Sequence, residues 1–99
     1  MKVRLLDIAE IELDEAWQWY ETQSSGLGER FLDEIRSARK MMVAFPEAWQ
    51  TIDDGIRRYR LKAFPYGLIY VVNGIEILIV AVAHNHRAPD YWRDRVPRR

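Results

Sequence analysis

Apolar positions recur along this chain with two different periods, and the change of period divides it into a helical first half and a stranded second half. The longest apolar run, Ile75–Ala83 (IEILIVAVA), is nearly unbroken and rich in β-branched residues. It predicts a strand covered on both faces or central to its sheet. Val72-Asn73-Gly74-Ile75 leads into it. Asn-Gly supplies the two positive-φ residues of a type I′ turn, so Leu68–Val72 is expected to be an antiparallel partner. Before that, Ile56–Ala63 (IRRYRLKA) alternates with period two. Arg58, Arg60 and Lys62 share one face of that strand, and Arg57, Tyr59, Leu61 and Ala63 share the other. Phe64-Pro65-Tyr66-Gly67 reads as the turn between these strands.

The first half follows the helical period. Lys2–Leu6 alternates enough for a short strand, and Asp7-Ile8-Ala9-Glu10 then has the spacing of a capping box. Leu13, Ala16, Trp17 and Tyr20 make one apolar stripe, with Glu12, Glu15 and Glu21 largely outside it. Trp19 also lies off the stripe, where it either covers the helix flank or faces a partner. Ser24-Ser25-Gly26-Leu27-Gly28 stops this helix and restarts another. The second helix carries Leu27, Phe31, Ile35, Ala38 and Met42 on one face, widened by Leu32 and Met41. Pro46 ends it by disfavouring helix at Phe45. Glu47–Gly55 is expected to be irregular, with Trp49 pinning it to the core. The order β-α-α-β-β-β predicts an α+β fold, a two-layer sandwich. In it a helical hairpin packs on one face of a mostly antiparallel sheet.

Composition bounds what such a scaffold does. Ninety-nine residues make one domain, 1–99, burying roughly 60–65% of the unfolded surface. The chain has no cysteine, which excludes disulfides and thiolate metal sites. No signal-peptide pattern opens it, and its longest apolar run is too short to span a membrane. A cytoplasmic protein with no membrane partner is the expectation. The formal net charge of zero conceals an asymmetry. Residues 1–55 carry six basic and twelve acidic side chains, and residues 56–99 carry nine and three. One half therefore seeks an anionic partner while the other stays solvated, but a neutral chain is not a strong nonspecific nucleic-acid binder.

Candidate chemistry lies in the basic half. There is no glycine-rich phosphate loop and no nucleophile elbow. His84 and His86 would share a face of an extended backbone. No third ligand is spaced to join them, so no metal or other cofactor is expected, and capping the strand end is the simpler role. Arg58, Arg60 and Lys62 form a cationic stripe with about 7 Å between successive charges. His84, His86, Arg87, Tyr91, Trp92, Arg93 and Arg95 follow in the tail. A tail folded back across the sheet would bring cations, a proton donor and stacking aromatics together. Those are the groups that metal-free phosphodiester cleavage requires. The same lysines and arginines also serve to protect a sheet edge from pairing.

Taken together, the chain resembles the RelE/ParE superfamily of toxins, of plasmid-stabilisation type, from bacterial type II toxin–antitoxin systems. The resemblance rests on Glu15-Ala16 with Trp19-Tyr20-Glu21, Gly26-Leu27-Gly28 with Arg30-Phe31, Pro46 and Trp49. It continues through Ile56-Arg57-Arg58, Phe64-Pro65-Tyr66 with Tyr70, and Ala83-His84, Arg87, Pro89, Tyr91-Trp92 and Arg95. It implies a cytoplasmic toxin neutralised by a cognate antitoxin in a hetero-oligomeric complex. In the ParE branch the target is DNA gyrase and no hydrolysis occurs, with Arg57, Arg58, Arg60, Trp92, Arg93 and Arg95 as the implied target- or antitoxin-binding residues. In the RelE branch the target is ribosome-bound mRNA. Arg58, Arg60, Lys62, Arg87 and Tyr91 would then fill catalytic positions, with His84 or His86 as proton carrier. Arginine where that branch carries lysine suits charge stabilisation rather than proton abstraction. The ParE-like toxin is thus the first expectation; an endoribonuclease, or an inactive antitoxin-binding member, is the alternative.

Overall fold

The computed structural model describes residues 1–97, so Arg98 and Arg99 of the basic half lie outside the described residues. Strand β1 (Lys2–Leu5) leads into helices α1 (Asp7–Gln23) and α2 (Leu27–Ala44). Strands β2 (Gln50–Asp53), β3 (Ile56–Arg60), β4 (Tyr66–Asn73) and β5 (Glu76–His84) follow, and a 3₁₀ turn at Arg93–Arg95 closes the description. The sheet order is β1-β5-β4-β3-β2, with β1 parallel to β5 and every other pair antiparallel. This is the expected α+β sandwich with one strand more. Gln50–Asp53, read as irregular from the sequence, pairs with β3 as an edge strand.

Both sheet faces are covered. The helices bring Ala9, Ala16, Phe31, Ile35, Ala38 and Met42 onto Tyr59, Leu68, Tyr70, Ile77 and Ile79. On the opposite face Trp92 of the tail packs with Ile56, Ile69, Val71, Leu78 and Val80. The near-continuous apolar run in β5 therefore serves two layers, as a strand buried on both sides must.

Local chemistry departs from the sequence reading at four places. Leu6, not Asp7, occupies the N-cap of α1, and no side chain caps it. Asp7 and Glu10 instead lie in the first turn, where their charge favours the helix dipole. The α1–α2 turn is closed by Glu21, whose carboxylate accepts from the backbone N–H of Gly26 at 3.1 Å and of Gly28 at 3.0 Å. Gly28 is obligatory for a steric reason, because a Cβ there would lie 2.8 Å from the Trp17 carbonyl. At the β4–β5 hairpin Asn73 pairs with Glu76. The central residues are thus Gly74 and Ile75, with positive φ at Gly74 alone, the pattern of a type II′ turn rather than type I′. Finally, β3 ends at Arg60, not Ala63, since the backbone N–H groups of Lys62 and Ala63 turn away to the Glu34 carboxylate of α2.

One irregularity decides what the end of β5 presents. Ile69 pairs with Ala81 but Tyr70 pairs with Ile79, so Val80 has no partner and β5 carries a bulge. Val80 and Ala81 consequently both face the tail side. Side-chain parity is reversed beyond them: Val82 joins the helix-side core and Ala83 packs on the tail side.

Candidate functional site

The bulge and the shortness of β1 together create a polar site at the sheet edge. Leu6 makes the last backbone bond from β1 to β5, donating to Ile79 at 3.0 Å. Beyond it the outer edge of β5 has no neighbouring strand, and its backbone groups need other partners. Glu12 of α1 and Arg95 of the tail supply them. The Val82 N–H donates to Glu12 Oε1 at 3.0 Å, and the Val80 carbonyl accepts from Arg95 Nη1 at 3.1 Å. Glu12 and Arg95 also bind each other through both oxygens, at 2.9 and 3.2 Å. The Tyr91 hydroxyl donates to Glu12 Oε2 at 3.1 Å, and Arg87 stands 3.7 Å from the same oxygen. The Glu12 side chain is 7% exposed and that of Arg95 15%, so the pair is built into the fold.

These contacts explain the spacing of the tail motif. The Tyr91 ring lies between two guanidinium groups, 3.9 Å from Arg87 and 4.9 Å from Arg95. Burial, and then the negative charge of Glu12, push its phenol up to about 12. At neutral pH Tyr91 is a hydrogen-bond donor, not a base. Trp92, 5% exposed, is seated in the tail-side core. Arg93 pairs with Asp53 of β2 and, at 3.0 Å, with Asp90. The tail is thus fastened to α1, β5 and β2, and it does fold back across the sheet.

His84 belongs to the helix side of this edge, as the bulge dictates. Its ring meets Tyr66 edge-on at 5.1 Å, and its Nδ1 accepts from the His86 N–H at 3.1 Å. A cleft of about 250 Å³ opens there, lined by Glu15, Tyr66, Val82, His84 and Arg87 as well as Glu12. The two histidine rings lie 5.4 Å apart. Among the described residues no cluster of three His, Cys, Asp or Glu side chains is placed to hold a metal.

The basic strand faces elsewhere. Arg58 alternates with Ile56 and so lies on the tail side, its aliphatic stem running over Gly67. A Cβ at Gly67 would stand 3.0 Å from Arg58 Cδ, so that glycine gives the stem its bed. Burial, and then the neighbouring charge of Arg60, lower the Arg58 pKa from the usual arginine range. Among the described residues Arg58, Arg60 and Lys62 form no ion pair. Arg57 points the other way and donates to the Trp49 carbonyl at 2.9 Å and to Thr51 Oγ1 at 3.0 Å, which holds β2 in place.

The structure therefore sorts the sequence candidates into two groups. His84, Arg87, Tyr91 and Arg95 meet at the α1–β5 edge, and Arg58 and Arg60 lie together on β3, with Lys62 just beyond it. His84 and Arg58 are on opposite faces of the sheet. Sequence reasoning missed Glu12, the residue that gathers the first group. Its signal was present: Ala9, Glu12 and Ala16 are spaced i, i+3, i+7, and all three are buried.

The family model described as ParE toxin of type II toxin–antitoxin system, parDE, matches residues 3–89. Among solved structures, a chain of the chromosomal ParDE TA system from P. aeruginosa superposes with a TM-score of 0.70 at 22% identity. The match covers 85% of this chain and 95% of that one. Among curated proteins none matches significantly.

Proposed function

This chain belongs to the ParE toxin family of type II toxin–antitoxin systems, and from that premise we propose that it arrests growth by binding DNA gyrase and is neutralised by a cognate antitoxin. On this reading it acts by docking, with no bond made or broken. The observation that carries it is the division of the candidate residues between two sheet faces. Cleavage of a phosphodiester needs a base, a charge stabiliser and an acid around one phosphorus atom. Arg58 lies across the sheet from His84, and the Tyr91 phenol is held protonated against Glu12. What Arg58, Arg60 and Lys62 offer instead is a row of cations that form no ion pair among the described residues and suit an anionic surface.

Trp92 and Arg95 support the docking surface from within, as residues that hold the tail, and Arg93 does so through Asp53 and Asp90, whereas the exposed Arg60 is available to a partner's rim. Among the described residues no helix is long and apolar enough to cross a membrane, which agrees with a cytoplasmic site of action. The test is pulse-labelling of DNA and protein synthesis just after the chain is induced in bacteria without its antitoxin. DNA synthesis failing first, with filamentation, supports the gyrase reading. Protein synthesis failing first, with transcripts cut on the ribosome, replaces it with the endoribonuclease reading. Growth that continues unchanged leaves an inactive antitoxin-binding member.

A further inference from the structure

Helix α1 carries a second apolar stripe, which the fold leaves uncovered. Ile8, Ile11, Glu15 and Trp19 follow one another at i, i+3, i+7 and i+11 and so share one face of the helix. Ile8 is 41% exposed, Ile11 53% and Trp19 58%. The same helix has six carboxylates and no basic side chain. Glu15 within the stripe and Asp14 beside it are both exposed, and neither enters an ion pair among the described residues. A matching surface of opposite sign lies between β1 and the last turns of α2. It is a shallow groove of about 390 Å³ lined by Val3, Val43, Ala44, Arg39 and Lys40. None of these lining residues is acidic, and neither cation enters an ion pair among the described residues. Arg39 donates to the Val3 carbonyl at a long 3.4 Å, which keeps its guanidinium beside the groove.

We propose that the α1 stripe of one copy of this chain seats on the α2–β1 groove of another. The proposal stands apart from the target reading above, because the cationic row of β3 takes no part in the contact. Both chemistries match. Ile8 and Ile11 meet the apolar floor of Val3, Val43 and Ala44, while Asp14 and Glu15 meet Arg39 and Lys40. The aliphatic stems of those two cations cover apolar surface while their heads reach the carboxylates, and the exposed Trp19 indole gives a guanidinium a ring face. No residue of α1 lines the groove, so the two surfaces are not joined within one copy. Stripe against stripe is disfavoured, since it would set the carboxylates of one α1 against those of another. An anionic partner such as nucleic acid is repelled by the stripe for the same reason. Exposed ion pairs are weak and screened by salt, so the association is reversible and strongest at low ionic strength.

The experiment is sedimentation of the full chain, free of antitoxin, from micromolar to millimolar concentration. The expected result is a mass that rises with concentration at low salt, and an association weakened tenfold or more between about 0.05 and about 0.5 M salt. Two charge reversals then test the pairing itself. D14K/E15K makes both surfaces basic, and R39E/K40E makes both acidic. Each variant alone, with thermal stability retained, should sediment as a single chain, and an equal mixture of the two should associate again. Should either fold poorly, Trp19→Ser changes an exposed position without altering charge and should weaken association tenfold or more. A single-chain mass for the unmodified protein at low salt and millimolar concentration overturns the proposal. So does association that Trp19→Ser and both charge variants retain, or a mixture of the charge variants that stays monomeric. A chain that is monomeric alone, and whose D14K/E15K variant no longer holds the antitoxin, assigns the stripe to the antitoxin and overturns the proposal as well.

Discussion

Replacing Glu12 by alanine is the sharpest perturbation of the fold at the sheet edge. The substitution removes the acceptor of the Val82 N–H, of the Tyr91 hydroxyl and of both Arg95 nitrogens at once. Arg95 would remain as a cation 15% exposed, still bonded to the Val80 carbonyl but without a counter-charge. Breaking a buried pair by removing one partner costs about 3–5 kcal/mol. Water entering the vacated space can satisfy Val82 and Tyr91, so no further penalty is added for them. Set against a total stability of about 5–15 kcal/mol for a small domain, the loss is large. It corresponds to a fall in melting temperature of roughly 15–25 °C at this chain length. Glu12→Gln keeps an oxygen for Val82 but turns an amide toward Arg95, and should fall between alanine and wild type. Replacing both partners, Glu12→Leu with Arg95→Leu, removes the unpaired charge. It should cost less than the sum of the single changes, with about 2 kcal/mol or more of coupling. Thermal and denaturant unfolding give the energies, and near-ultraviolet circular dichroism follows the seating of Trp92. A Glu12→Ala loss below about 1 kcal/mol, or additive single variants, would refute the reasoning and leave Trp92 as the fastening.

Three further outcomes follow from the same geometry. Charge reversal at the exposed Arg60 should abolish growth inhibition by the induced chain while changing stability by no more than about 0.5 kcal/mol; retained toxicity with intact folding would remove the cationic row from the account. Tyr91 and Tyr70, both pushed up to about 12 chiefly by burial, should ionise last in an alkaline titration followed by tyrosinate absorbance, and Tyr91→Phe should delete one of these late transitions. Since their folded pKa lies above the ordinary value near 10, their contribution to stability is whole below pH 10 and lost as pH rises toward 12; five tyrosines titrating together near 10 would contradict the burial described. Gly28→Ala should destabilise by about 1–3 kcal/mol, because the added methyl meets the Trp17 backbone carbonyl at 2.8 Å and crowds the Glu21 side chain at 3.0 Å; denaturant unfolding reads the loss, and a neutral result would mean that the helical hairpin is looser than described.

Much of the architecture was legible because period and face are linked. IRRYR put Arg58 and Tyr59 on opposite faces of β3, and Tyr59 does lie in the helix-side core with Arg58 on the tail side. The Leu27–Met42 stripe likewise fixed the buried side of α2. What escaped had physical causes. Gln50–Asp53 is a mostly exposed edge strand, so its pairing leaves little hydrophobic alternation to read. The bulge was invisible because Ile79–Ala83 is apolar at every position, and a slip of one residue leaves such a pattern unchanged. Its consequence, the placing of His84 on the face opposite Arg58, was hidden with it. Glu12, Glu21 and Glu34 look like solvated helix charges in sequence, yet each accepts backbone N–H groups whose need arises only when a strand edge, a helix start or a strand exit lies beside it. The tail motif reads in sequence as chemistry and binding, whereas the part Tyr91, Arg95 and Trp92 play in holding the tail shows only once α1, β5 and the sheet face stand beside them.

Gyrase is the proposed target of this chain. The most direct measurement adds the purified chain to gyrase, ATP and relaxed plasmid, with and without antitoxin, beside a parallel assay of ribosome-bound mRNA. The account predicts loss of supercoiling at near-stoichiometric toxin, its restoration by antitoxin, and intact mRNA. Undisturbed supercoiling with mRNA cleaved on the ribosome would contradict it.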